Sequence, residues 1–177
     1  QEMAEQVHAA YGPIDVLVNN AGISVDKRFE RLTREDWERV IDVNLGGAFN
    51  CTKAFYEDLK EASAGRLINV SSVVGQQGNV GQANYAASKS ALLGFTKTLA
   101  RELAPHGTTA NCVAPGFTDT DMVRSVPADV QEQIRQTIPL QRFADVEEVA
   151  CIVRFLASEE SSYVTGEIIN ANGGMYA

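Results

Sequence analysis

The chain has 177 residues, with 15 Lys and Arg against 23 Asp and Glu, a formal charge of −8, and 45% hydrophobic and 21% charged residues. That length builds one domain, here taken as residues 1–177, with a sizeable core, and is too short for two complete ones. The acidic balance argues against non-specific attraction to nucleic acid or to an anionic membrane surface, and leaves any phosphate-bearing ligand to a local pocket.

Cys51, Cys112 and Cys151 lie far apart with no CxxC spacing, which excludes the usual zinc arrangement and an all-paired disulfide framework and points to packed, reduced thiols. His8 and His106 stand apart from each other and from carboxylate clusters, so no metal site is expected. No apolar run approaches the roughly 18 residues of a membrane span, and no basic segment precedes an apolar one as in a signal peptide. A cytoplasmic setting is therefore expected.

In chain order, residues 1–11 read as the tail of an amphipathic helix closed by Tyr11-Gly12-Pro13. IDVLVN at 14–19 has the continuous apolar character of a strand buried on both faces. Thr33 with Asp36 forms an N-terminal capping pair, and Trp37, Val40, Ile41, Leu45, Ala48, Phe49, Thr52, Phe55 and Leu59 recur at helical spacing, which predicts one long helix over 33–61. RLINVSS at 66–72 is a second strand, and Gly75, Gly78 and Gly81 mark a loop. A second long helix follows through Ala91, Leu92, Phe95, Leu99 and Leu103, ended by Pro105 and Gly107.

TTANCVAP at 108–115 is a third strand. The segment after it, with Gly116, Pro127 and Pro139, reads as a lid with a short helix between its prolines. Asp145 with Glu148 caps a last helix through Val149, Ile152, Val153, Phe155 and Leu156, and EIINA at 167–171 forms a final strand. Strands alternating with helices predict an α/β fold, a doubly wound parallel sheet in three α/β/α layers with right-handed crossovers. Ligands of such sheets bind at the carboxyl ends of the strands, where this chain carries Asn19-Asn20-Ala21-Gly22, Ser71-Ser72 and Pro115-Gly116-Phe117.

Three residues at that rim carry chemistry. Tyr85 and Lys89 lie one helical turn apart and share a face, within reach of Ser72 at the neighbouring strand end. An ammonium beside a phenol favours the ionised form and would draw its pKa down from about 10. Such a phenol exchanges a proton with a carbonyl or alcohol oxygen, which Ser72 would also hold. Tyr-x-x-x-Lys alone arises readily by chance among five tyrosines, and a strand-end serine is commonly a turn residue. The joint occurrence is the signal.

NNAG at 19–22, Asn44 in VNLGG, Ser72 in NVSSVVG, YAASK at 85–89 and PG at 115–116 resemble, in order and spacing, the short-chain dehydrogenase/reductase family. The resemblance covers essentially the whole chain. QANYAASKSALLGFTK, APGFTDTDM and the ending NGGMY are most similar to its reductases of 3-oxoacyl thioesters on acyl carrier protein or coenzyme A.

It implies a Rossmann-like fold, with Tyr85 as general acid and Lys89 holding the nicotinamide ribose and tuning the phenol. Ser72 would orient the substrate oxygen, and Asn44 would anchor a water linking Lys89 to solvent. Asn20, Ala21 and Gly22 would pass beside the adenosine ribose, and Pro115, Gly116 and Thr118 would meet the nicotinamide carboxamide. The cofactor implied is NADP(H), with NAD(H) an alternative, and the assembly a homotetramer. Asn44 before Gly46-Gly47 would equally mark a kink, and Gly22 a tight turn.

One departure stands out. A dinucleotide site of this kind needs a glycine-rich turn after a first strand, and no such turn is present in residues 1–177. By analogy with the family, about 60 to 70 residues with the first strands would precede Gln1. The strand at 14–19 would then present an apolar edge prone to aggregation unless paired.

Three readings follow: a 3-oxoacyl thioester reductase of fatty acid biosynthesis, a relative acting on another ketone or alcohol, or a catalytically silent structural subunit. Phe117, Met122, Val123, Val126, Ile134 and Ile138 would line an acyl channel or serve as packing. The small residues Ala86, Ala87, Ala91 and Gly94 would allow close helix packing between subunits. An acidic carrier protein would need a basic patch, for which Arg66, Lys97, Arg101 and His106 are candidates.

Overall fold

A computed structural model describes residues 2–124 and 126–176, apart from the side chain of Met122. In chain order, α1 (Glu2–Tyr11) leads to β1 (Val16–Asn19), and α2 (Arg34–Ile41), α3 (Gly47–Ala54) and α4 (Tyr56–Glu61) lead to β2 (Arg66–Val70). Then α5 (Val74–Gln77) and α6 (Ala83–Leu103) lead to β3 (Thr109–Pro115), and α7 (Asp121–Arg124), α8 (Ala128–Thr137) and α9 (Val146–Ala157) to β4 (Ile168–Ala171). The four strands are all parallel, in the order β1-β2-β3-β4. The α/β, Rossmann-like reading is therefore correct.

Alternation along the strands builds two apolar layers. Leu67 and Ala110 face Leu59, Leu99 and Leu103 of α4 and α6, while Ile68 and Val113 face Leu156 of α9 on the opposite side. Burial of such side chains, worth about 1.5–3 kcal/mol each, is the main force fixing the layers. Because α9 crosses on the face opposite α4 and α6 while the strands keep stepping the same way, the β3–β4 connection has the opposite hand from the two before it. Right-handed crossovers had been expected throughout. The long lid between Pro115 and Val146 carries the chain around the rim to the other face and relieves the coupling that short connections obey.

Both predicted capping pairs are present. The Thr33 hydroxyl accepts from Asp36 N and Asp36 accepts from Thr33 N, each at 3.1 Å, while Glu148 accepts from Asp145 N at 2.8 Å. The Lys27 ammonium, aided by Thr33, holds the Asp36 carboxyl down at about 2.

The single helix expected over 33–61 is instead divided. Asp42–Gly46 forms a π turn, and Phe55, at φ −108° and ψ 15°, separates α3 from α4. The wide turn inserts an extra residue into the ladder and brings Asn44 into the interior. Asn44 thus marks a kink and is also buried in the site described below.

β1 is shorter than its apolar run and is not buried on both faces. It stands at the sheet edge, with Val16 and Val18 38% and 39% exposed. Among the described residues no helix is long and apolar enough to cross a membrane.

Candidate active site

The carboxyl ends of the strands bring the predicted residues together. Ser72 follows β2, and its Oγ accepts from Val74 N at 3.1 Å. Tyr85 is the third residue of α6, whose start is fixed by buried Asn84: its Oδ1 accepts from Tyr85 N at 2.8 Å, and its Nδ2 donates to Val25 O and Asp36 O. Lys89, one turn later, has its Nζ 5.8 Å from the Tyr85 ring centroid and donates to Val70 O at 2.8 Å. Ser71 secures this turn by donating to Lys89 O at 2.7 Å.

Electrostatics here differ from the sequence expectation in one respect. Burial pushes the Tyr85 phenol above its ordinary value, the hydrogen bond with Ser72 opposes that, and the Asp26 carboxylate adds to it. Lys89 was expected to draw the phenol down, but its ammonium is directed to the Val70 carbonyl. Burial lowers Lys89 itself to about 8. Cys112, pushed by burial up to about 11, is a neutral thiol near neutral pH and offers Lys89 no charge. The site therefore holds a protonated phenol beside a weakened ammonium.

Asn44 spends its amide on positioning. Nδ2 donates to Ile23 O and Ser88 Oγ, both at 3.0 Å, and Oδ1 accepts from Ile23 N at 2.8 Å. The π turn thereby clamps the segment after Gly22 onto α6. A Cβ on Gly22 would stand 3.1 Å from Lys89 Nζ and 3.4 Å from Asn44 Oδ1, so the bare backbone is what lets this turn lie against the ammonium. Gly22→Val is expected to displace Lys89 and cost roughly 10- to 100-fold in turnover, since misplacement of about 1 Å carries penalties of that size. Steady-state kinetics beside a thermal melt check this; unchanged turnover would refute the contact.

Pro115 and Gly116 close the other wall. Val73 N donates to Pro115 O and Gly116 N to Ala171 O, and a Gly116 Cβ would come within 2.8 Å of Asn172 Cα. Thr118 bridges to Ala144. Asn20, Val70, Pro115 and Thr118 border a groove of about 610 Å³ across the strand ends, with α9 on its far side. Ala21 is exposed on the same turn.

Tyr85 opens onto a second cleft of about 250 Å³ with Ser72, Phe117, Val123 and Val126 in its lining. Of the expected channel residues, Ile138 is buried elsewhere and Ile134 is not in this lining, while the Met122 side chain lies outside the described residues. Arg66 is no docking residue: it is 3% exposed and donates to Gly65 O and Ser158 O. Lys97, Arg101 and His106 are exposed.

Sequence reasoning missed Gln82, whose amide donates to both Asp26 oxygens at 3.0 and 3.1 Å across the cleft mouth. It also missed Ser88, the link between Asn44 and α6. Ser88 lies inside YAASK, so its position was visible and its partner was not.

The chain matches, over residues 1–176, the family described as Enoyl-(Acyl carrier protein) reductase. It is 46% identical over 176 residues to the 3-oxoacyl-(acyl-carrier-protein) reductase FabG of Staphylococcus epidermidis, covering 99% of this chain and 72% of that protein. The FabG of Thermotoga maritima is 50% identical over 175 residues, covering 99% of this chain and 71% of that protein. The acetoacetyl-CoA reductase of Shinella zoogloeoides is 48% identical over 172 residues, covering 97% and 71%. The chain belongs to the short-chain dehydrogenase/reductase family. It is an oxidoreductase acting on CH–OH groups and the corresponding carbonyls.

A short-chain dehydrogenase/reductase implies a nicotinamide cofactor, and the residues present fit one. Lys89 has one acceptor among the described residues, Val70 O, and an ammonium carries three donors, so two N–H groups are available to a ribose. The groove at the strand ends and the side-chain-free approach at Gly22 agree with a backbone-hugging ligand.

Proposed function

We propose that the protein reduces 3-oxoacyl thioesters, carried on acyl carrier protein or coenzyme A, to 3-hydroxyacyl thioesters with NADPH, as a step of fatty acid biosynthesis. The observation that carries this is that Ser72 and Tyr85 line one cleft together with Val73, Val74, Phe117, Val123 and Val126. Reduced nicotinamide supplies the hydride when bound.

The chain's own residues supply the rest. The Tyr85 hydroxyl, kept protonated by burial, donates its proton to the carbonyl oxygen, and Ser72 donates a hydrogen bond to that oxygen and fixes its direction. Lys89 holds ribose hydroxyls with its free donors, Asn44 keeps the turn at Asn20–Gly22 in place, and Pro115, Gly116 and Thr118 present the backbone that meets the carboxamide. The names of the relatives support the thioester, because they include both a carrier-protein and a coenzyme A reductase. The match described as an enoyl reductase is less well served by this site, since two hydroxyls on one cleft wall suit a carbonyl oxygen.

We further infer that residues 1–177 are the C-terminal part of one Rossmann-fold domain, its glycine-rich turn lying upstream. The position of β1 at the edge of the sheet among the described residues and the 71–72% coverage of the relatives support this. A cytoplasmic homotetramer is the expected assembly, supported by exposed Phe49 beside Tyr56 and Phe95 on the α3–α6 face.

The test is a substrate panel on the full-length protein. Acetoacetyl-CoA and a 3-oxoacyl carrier-protein thioester are offered with NADPH and with NADH, alongside simple ketones and sugars. Thioester reduction with a preference for NADPH is expected; turnover confined to the other ketones would contradict the reading.

A further inference from the structure

Two cavities meet at one ring. Phe117 lines the catalytic cleft with Tyr85, and it also lines a separate pocket of about 200 Å³ on its other side. That second pocket is walled by Ile138, Leu140, Val149, Ile152 and Ala171. Three of its polar members are engaged elsewhere: Arg142 donates to Glu148 through two bonds of 2.6 Å, and the Asn172 amide donates to Tyr176 O and accepts from Gly174 N, both at 3.0 Å, while Asn170 completes the polar lining. What remains for a ligand is mostly apolar surface.

The backbone of Phe117 is pinned. Ala144 N donates to Phe117 O at 3.0 Å, and Asp119 N to Ala144 O at 2.9 Å, as a short ladder beside the sheet. The ring leans on Phe143 at 6.2 Å between centroids, and the Arg135 guanidinium sits 5.1 Å from the Phe143 ring centroid. Phe117 thus stands, its backbone held, where the two pockets meet.

We propose that Phe117 sets the acyl-chain limit of the enzyme: short acyl tails occupy the catalytic cleft alone, and longer ones reach the Ile138–Ile152 chamber only when the ring is displaced. This rests on the thioester reading above. The chamber's occupant is the distal part of the substrate's own hydrocarbon chain, because the chamber adjoins the cleft at Phe117, its wall is largely apolar, and its two charged side chains, Arg142 and Glu148, are paired with each other.

The experiment compares wild type, Phe117→Ala, Phe117→Leu and Phe117→Ala/Ala144→Leu in the full-length protein. The probes are 3-oxoacyl N-acetylcysteamine thioesters of four, eight and twelve carbons. One methylene in an apolar pocket changes kcat/KM by roughly 10-fold or more, so Phe117→Ala is expected to raise the twelve-to-four-carbon ratio by at least about 10-fold. Phe117→Leu is expected to fall between, and the added Ala144→Leu, which fills the chamber, to reverse the gain. Equal effects on all chain lengths, or a gain that survives Ala144→Leu, would overturn the proposal.

Saturated acyl-CoA esters of the same lengths serve as dead-end inhibitors and read the chamber without turnover. If wild type reduces no 3-oxoacyl probe, the thioester reading fails. Tighter inhibition by long esters in Phe117→Ala alone would still support the chamber, and its absence would count against it.

Discussion

Tyr85→Phe is expected to reduce carbonyl turnover by at least about 10²–10⁴-fold, the range a positioned proton donor supplies, while cofactor affinity changes little. The phenylalanine ring fills the same space at the head of α6, so Lys89, Ser71 and the Asn84 cap retain their partners. Only the proton is lost. Loss of kcat with an unchanged dissociation constant for the reduced cofactor, followed by fluorescence titration, is the expected pattern. Retained turnover would remove Tyr85 from the role of acid.

Lys89→Met is expected to abolish most turnover and yet stabilise the fold. Lys89 is 4% exposed and its pKa is lowered to about 8, so the folded state disfavours the charged form that the unfolded chain keeps up to about 10.4. Below about 8 the folded protein bears the full net cost of this shift, on the order of 3 kcal/mol. Between about 8 and 10.4 unfolding takes up a proton, so wild-type stability rises with pH through that window.

Methionine fills similar volume without charge. The cofactor-free Lys89→Met protein is expected to melt higher than wild type at pH 7, with the gap narrowing toward pH 10. A gap that does not depend on pH, or a lower melting temperature throughout, would contradict the account. In the proposed reading the site keeps a destabilising group because the remaining Lys89 donors would hold the cofactor ribose, a common cost at functional positions.

Periodicity and spacing carried much of this into view. Tyr85 and Lys89 share a helix face because four residues make about one turn, and Thr33–Asp36 and Asp145–Glu148 announce helix starts through short-range hydrogen bonds. Tertiary facts were hidden. The π turn at Asp42–Gly46 exists because Asn44 has buried partners in Ile23 and Ser88, which helical spacing does not encode. Arg66 reads as a surface charge until Ser158 O is found beside it. The direction of the Tyr85 shift depended on where the Lys89 ammonium was aimed, and the opposite hand of the β3–β4 crossing on which face α9 packs.

The proposed mechanism needs two hydroxyls acting on one oxygen, and a double-mutant cycle measures that directly. Tyr85→Phe, Ser72→Ala and the double variant are compared with wild type in single-turnover reduction of acetoacetyl-CoA under saturating reduced cofactor. Groups that act as a unit are non-additive, so the double variant is expected to be about as slow as Tyr85→Phe alone. Losses that simply add, or a Ser72→Ala variant as fast as wild type, would show that the two hydroxyls do not share the reacting carbonyl.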